Sequence, residues 1–160
     1  MGAQAHLPTY RTMDQLKSRF NEAFNFPSPI GQEEVIKFSL SQFENMVQNE
    51  NQSEVASVSL TRYAEDKISK DNVVHLLQIA NMYEVLYERF GRQEYADLSE
   101  EYYKEIKKIG SNLPHALYGL QRLYKKSGQE DKMEEVNQKI LELWPEDSKV
   151  KNELKTLENE

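Results

Sequence analysis

The chain contains no cysteine. Disulfides and thiolate-ligated metals are therefore excluded, and the redox environment stays open. Histidine is nearly as scarce. His6, His75 and His115 lie far apart and form no His-x-x-x-His pair, so ligand spacing argues against zinc and the three read as surface or helix-start residues. No apolar run approaches the roughly 18–20 residues that a bilayer span needs. Met1 to Pro8 lacks a basic segment followed by an apolar stretch, so no secretory signal is expected there. The six glycines compose no Gly-x-Gly-x-x-Gly or Gly-Lys-Ser phosphate loop. No serine stands in a Gly-x-Ser-x-Gly elbow. Cations are outnumbered, 20 Lys and Arg against 27 Asp and Glu, for a net charge of −7. That balance argues against nucleic acid or an anionic membrane surface as the main partner, since both reward dense Lys and Arg.

What the chain does have is helical periodicity. A short helix is expected over Thr12 to Asn25, with Met13, Leu16, Phe20 and Phe24 on one stripe. Phe26-Pro27-Ser28-Pro29 breaks it, because proline disfavours helix in the residue before it. A second helix follows from Gly31 to Gln48, facing inward with Val35, Phe38, Gln42, Phe43 and Met46. A third runs from the N-cap Ser53 to Ser69, with Ala56, Leu60, Tyr63, Ala64 and Lys67 on one face. Asp71 or Asn72 caps a long fourth helix ending near Phe90, whose apolar residues Leu76, Ile79, Ala80, Tyr83, Leu86, Tyr87 and Phe90 keep a clean helical period. Gly91 is a natural residue just past a helix end. A fifth helix from about Glu94 to Ile109 is expected to bury Tyr95, Leu98, Tyr102, Ile106 and Ile109. Pro114 suits the first position of the sixth, and Glu130 to Trp144 and Ser148 to Leu157 supply the last two.

These helices repeat. Leu117, Leu120 and Tyr124 stand 41 residues after Leu76, Ile79 and Tyr83, whereas Met133, Asn137, Ile140 and Leu143 stand 34 after Ser99, Tyr103, Ile106 and Ile109. Seven extra residues in the first unit amount to about two helical turns, so they lengthen a helix or turn while roughly keeping its buried face. A 34-residue period of two amphipathic helices points to a stack of helical pairs.

Pro114 to Asp147 resembles one motif of the tetratricopeptide (TPR) family, with Leu117, Leu120, Tyr124, Gly128, Ile140 and Pro145 on signature positions. Gln121, Met133 and Asn137 depart from the pattern, and Ser111 replaces the closing proline of the preceding unit. The resemblance implies an all-α, right-handed helical solenoid. Its parts would be a leading segment with a short helix (1–29), a divergent pair (30–70), a repeat with the insertion (71–111), a TPR repeat (112–147) and a capping helix (148–160). More narrowly, Leu76 to Tyr83 and Pro114 to Leu120 look similar to the C-terminal TPR region of bacterial O-antigen ligase-like membrane proteins. That likeness implies an extramembrane appendage of a membrane-anchored, glycan-assembling parent, and it carries no catalytic residue to this chain.

The chemistry expected is binding, not catalysis. Adjacent acids such as Glu100-Glu101 and Glu134-Glu135 point to different sides of a helix and form no acid–base pair, so they read as solvated faces. No cofactor and no metal are expected. Gly119, inside a helix, is expected to permit a close helix approach. Tyr118 turns away from the Leu117/Leu120/Tyr124 stripe. In a TPR stack that side lines a concave groove, together with Leu77, Asn81 and Glu84 from the earlier repeat and Arg122, Lys125 and Lys126 from the later one. Such a groove would take a protein or peptide, with its basic end near Arg122 and Lys125. Leu77 stands where carboxylate-binding TPR domains use lysine, which argues against that clamp. The competing reading is a solvated face with no private ligand.

Overall fold

The computed structural model describes residues 13–25 and 31–157. All its regular structure is helical, and no strand occurs among the described residues. Eight helices follow in chain order: α1 Met13–Asn25, α2 Gln32–Gln48, α3 Glu54–Glu65, α4 Val73–Phe90, α5 Gln93–Ile109, α6 Pro114–Lys126, α7 Glu130–Leu143 and α8 Ser148–Leu157. Residues 1–11, expected to be loosely attached, and the proline-broken stretch from Phe26 lie outside the described residues, as do the side chains of Met13, Leu154 and Leu157.

The ends follow the local chemistry. The Ser53 side chain accepts from the Ala56 amide at 3.3 Å, and Asn72, not Asp71, caps α4 by accepting from Val74 and His75. Such caps satisfy amides that a helix start leaves without partners. Gly91 closes α4 with φ 68°, a left-handed conformation that glycine adopts without steric cost. The C-terminal end of α2 is closed from a distance. The Arg89 guanidinium donates to the carbonyls of Val47, Glu50 and Gln52 and to Ser57 Oγ, tying the α2–α3 connection to α4. The sequence-based end of α3 at Ser69 is four residues too long. After Glu65 the chain turns, and the Ser69 amide donates to His75 Nδ1 instead of extending the helix.

α4 is the spine. Its Ile79, Met82, Tyr83 and Leu86 join Leu16, Leu40, Phe43, Val47, Leu60, Ala64 and Tyr95 in one core. Its Leu76 and Ala80 join a second core with Tyr103, Ile106, Leu117, Leu120, Leu123, Tyr124, Met133, Ile140 and Val150. A helix apolar on two faces must be covered on both, and α4 is packed by α2, α3, α5 and α6. The seven extra residues lengthen both helices, and the connection between them is one residue shorter than its counterpart. α4 and α5 have 18 and 17 residues, against 13 and 14 in α6 and α7.

Several faces differ from the periodicity reading. α2 turns Ile36, Leu40, Phe43 and Val47 inward, and Phe38 is 67% exposed. Two apolar stripes overlap on that helix, and the inner one is set by Phe43 meeting the rings of Phe20 and Tyr63. On α5 the buried line is Tyr95, Ser99, Tyr103 and Ile106, leaving Ile109 48% exposed in the last turn.

Candidate functional site

Side-chain bonds join alternate helices. Gln78 on α4 donates to the Lys37 carbonyl of α2 at 3.3 Å, across 41 residues. Arg122 on α6 reaches Asn81 of α4 at 3.2 Å, also across 41, and Lys126 reaches Glu84 at 2.7 Å, across 42. The odd-numbered helices behave alike. Lys17 bonds Ser59, Tyr63 bonds Asn21, Tyr95 bonds Glu54 and Tyr102 bonds Glu65, across 42, 42, 41 and 37 residues.

The face shared by α2, α4 and α6 brings three of the six sequence-predicted residues together: Asn81, Glu84 and Arg122. Glu84 is only 2% exposed. Its two carboxylate oxygens accept a fork from Arg122, Nε to Oε1 at 2.6 Å and Nη2 to Oε2 at 2.7 Å. Tyr103 donates to the same carboxylate at 3.0 Å and to Asn81 at 2.9 Å. Lys126 adds a further bond to Glu84 and pairs with Glu88. Burial pushes the Glu84 carboxyl up, but the bonds and charges of Arg122 and Lys126 outweigh it and leave the group below its ordinary value. The same pairing raises Arg122. Glu44 of α2 lies at the edge of this network. Burial there raises its carboxyl, against a hydrogen bond from Asn81 and the charge of Arg122.

The face shared by α2, α4 and α6 is therefore less basic than the sequence suggests. Arg122 is committed to Glu84, and Lys126 is committed with it. The other three predicted residues lie apart from the network. Leu77 is half-buried against the second core. Tyr118 stacks on Trp144 with centroids 6.0 Å apart and donates to Asp147, so its ring closes the junction with α8. Lys125 is exposed. Near this face α2 and α4 leave Phe38 and Val74 exposed.

Gly119 behaves as expected. A Cβ there would lie 2.2 Å from the Tyr103 ring, so only glycine lets α6 approach α5 closely enough for the Tyr103 hydroxyl to reach Glu84. Two of the three departures from the repeat pattern answer each other, since Gln121 Nε2 donates to Asn137 Oδ1 at 2.6 Å inside the α6–α7 interface.

Two further expectations need correcting. Glu100 is not on a solvated face: it is 6% exposed and bonded by Tyr124, Lys104 and Lys132, while Glu101, Glu134 and Glu135 are exposed. His75 is fully buried at the start of α4. Its Nδ1 accepts from Ser69, which leaves the proton on Nε2, 3.9 Å from Glu33. Sequence spacing could not place these groups, because their partners lie on neighbouring helices. No cluster of three or more metal-ligating side chains occurs among the described residues, and none of their helices is long and apolar enough to cross a membrane. Comparison with protein-family models, curated proteins and solved structures found no match.

Proposed function

We propose that this chain is a non-catalytic scaffold that stacks its helices in two rows as a TPR-like solenoid and binds a protein segment on the row formed by α2, α4 and α6. The observation that carries this reading is the narrow spread of the cross-helix offsets, 39–42 residues from α2 to α4 and 38–42 from α4 to α6. Bonds whose offsets stay within about one helical turn are what a register-preserving stack of helical pairs produces. The outer face of such a row is rigid before any partner arrives, so a peptide docks with little ordering of the scaffold.

The chemistry of the face favours a partner that is not acidic. Three carboxylates, Glu44, Glu84 and Glu88, surround two cations, Arg122 and Lys126. Phe38 and Val74 supply apolar contact. A neutral or basic segment with an apolar anchor fits this better than a free carboxylate terminus. The network itself is buried polar structure, so its pairing fixes the spacing of α4, α5 and α6 and the ligand meets its rim.

The test is selection of peptides from a display library on the intact chain, followed by mapping of the bound peptide by amide chemical shifts. The expected footprint covers α2, α4 and α6. Phe38→Ser and Val74→Ser, both at exposed positions, should each weaken binding about tenfold, as loss of a buried apolar anchor does. Selected peptides whose footprint avoids these helices, or whose affinity ignores both substitutions, would overturn the reading.

A further inference from the structure

A second recess opens on the other row of helices, between α1, α3 and the start of α5. Its volume is about 550 Å³, within the range of ligand-binding clefts. Three cations line it, Lys17, Arg62 and Arg92, against two carboxylates, Glu54 and Asp66. In a chain of net charge −7, that is a local reversal of sign. The three cations are not equally engaged. Arg92 pairs with Glu54 at 2.5 Å. Lys17 donates to the neutral Ser59 hydroxyl at 2.9 Å and sits 5.5 Å from the Tyr63 ring centroid. Arg62 is exposed, and no ion pair reaches its guanidinium among the described residues.

The rest of the recess is apolar. Val55 is 80% exposed and Val58 half-buried beside it. The Tyr63 and Tyr95 rings form part of the lining, and both hydroxyls already donate, to Asn21 and the Lys17 carbonyl and to Glu54 respectively. The recess thus offers a forked cation and an ammonium beside an aliphatic patch, with Asp66 the one lining carboxylate outside the Arg92–Glu54 pair. Guanidinium forks match carboxylates in geometry as well as charge.

We infer that the α1/α3/α5 recess is a docking site for a short acidic peptide, whose carboxylate side chain pairs with Arg62 and Lys17 while a neighbouring aliphatic side chain covers Val55 and Val58. The partner differs in sign from the one that suits the α2/α4/α6 face. The two faces could therefore hold unlike segments at once.

Amide chemical shifts of the full chain, titrated with acetyl-Leu-Glu-Leu-Asp-Leu-amide, test this directly. The amides of Val55, Val58, Ser59 and Arg62 should shift and saturate. The isosteric acetyl-Leu-Gln-Leu-Asn-Leu-amide should bind at least tenfold more weakly, since it loses the charge-assisted bonds to Arg62 and Lys17. Arg62→Gln should lower affinity about tenfold and Val55→Ser severalfold; both positions are exposed, and unchanged melting curves would show that the fold is intact. Three results would overturn the inference: equal binding of the amide peptide, the same shifts produced by inorganic phosphate alone, or indifference to Arg62→Gln. Shifts confined to α2, α4 and α6 would also overturn it, while leaving the other face's role standing.

Discussion

Glu84 and Glu100 pose the same physical problem on two neighbouring helices, and the chain answers it differently each time. Both carboxylates are buried, both accept from a tyrosine on the next helix, and both meet two cations. Glu84 receives a fork from Arg122 two helices away, with the Gly119 gap admitting Tyr103 beside it. Glu100 receives two lysines, one of them Lys104 on its own helix. Lys104 satisfies the charge without linking anything, and the tie from α5 to α7 rests on the single ammonium of Lys132 at 3.2 Å. The fork satisfies the charge and also sets the distance between α4 and α6. Both carboxylates bridge helices, but one is held by a planar fork of fixed geometry and the other by an ammonium that can swing.

The sharpest test removes one cation from each carboxylate. Arg122→Ala leaves a buried Glu84 with Lys126 alone and should cost about 3 kcal/mol in urea unfolding, the scale of breaking a buried pair. Lys132→Ala leaves Glu100 with Lys104 at 2.5 Å and Tyr124 at 3.0 Å, and should cost about 1 kcal/mol. Equal losses would erase the distinction. Arg122→Lys should fall between the two, because an ammonium keeps the charge but loses the fork.

Gly119→Ala probes the same contrast from the backbone. The new methyl would meet the Tyr103 ring, so α5 and α6 must separate. Overpacking of this kind costs about 1–3 kcal/mol, against a gain of about 0.5–1 kcal/mol from replacing a helical glycine. A net loss of about 1–2 kcal/mol is expected, and it should largely vanish in a Tyr103→Leu background. A stabilised single variant would show that the close approach is not required. No such effect is expected around Tyr124, whose Glu100 partner needs no glycine opposite.

Helix number, order and most boundaries were legible in the sequence because apolar period and capping residues are local. Leu76, Ile79, Ala80, Tyr83 and Leu86 could be assigned from their spacing alone. Which stripe of α2 faces inward was not legible, since Phe38 and Phe43 fit overlapping periods and only the rings of Phe20 and Tyr63 decide between them. That Asn81, Glu84 and Arg122 share one face could be read from their spacing. Their neutralisation could not, because Arg122 meets Glu84 across 38 residues and Tyr103 meets it across 19. The burial of Glu100 and His75 escaped for the same reason. A buried polar group looks in sequence like a solvated one until its partners are known.

Acid should separate a histidine from the two carboxylates. Burial lowers the His75 pKa from 6.5, opposed by Glu33 and reinforced by Lys37. Protonation also displaces the Ser69 amide from Nδ1. The folded value lies below the unfolded one, so this contribution is present above pH 6.5 and lost as pH falls through the folded value. Glu84 and Glu100 are likewise below 4.5 when folded, so their share is present above that pH and lost beneath it. Stability should therefore decline in two stages, each with a slope of at most about 1.4 kcal/mol per pH unit per proton. His75→Gln should remove the first stage and spare the second. A single decline, unchanged by that substitution, would mean His75 titrates alike in both states.

The smallest effect belongs to Tyr118, which repeats the tyrosine–carboxylate bond without the burial. Its hydroxyl donates to Asp147, and that bond first, then partial burial, pushes the phenol up to about 12. Asp147 also accepts from the amides of Lys149 and Val150 at 3.0 Å and so caps α8. With water and these amides ready to satisfy Asp147, Tyr118→Phe should cost only about 0.5 kcal/mol. Tyr124→Phe, which leaves a buried Glu100 one donor short, should cost about 1–2 kcal/mol. The phenylalanine ring at 118 still stacks on Trp144, so Tyr118→Ala should lose more, through contact area and not the hydroxyl. If Tyr118→Phe proved as costly as Tyr124→Phe, burial would not be what gives these pairs their weight, and the contrast between Glu84 and Glu100 would need another explanation.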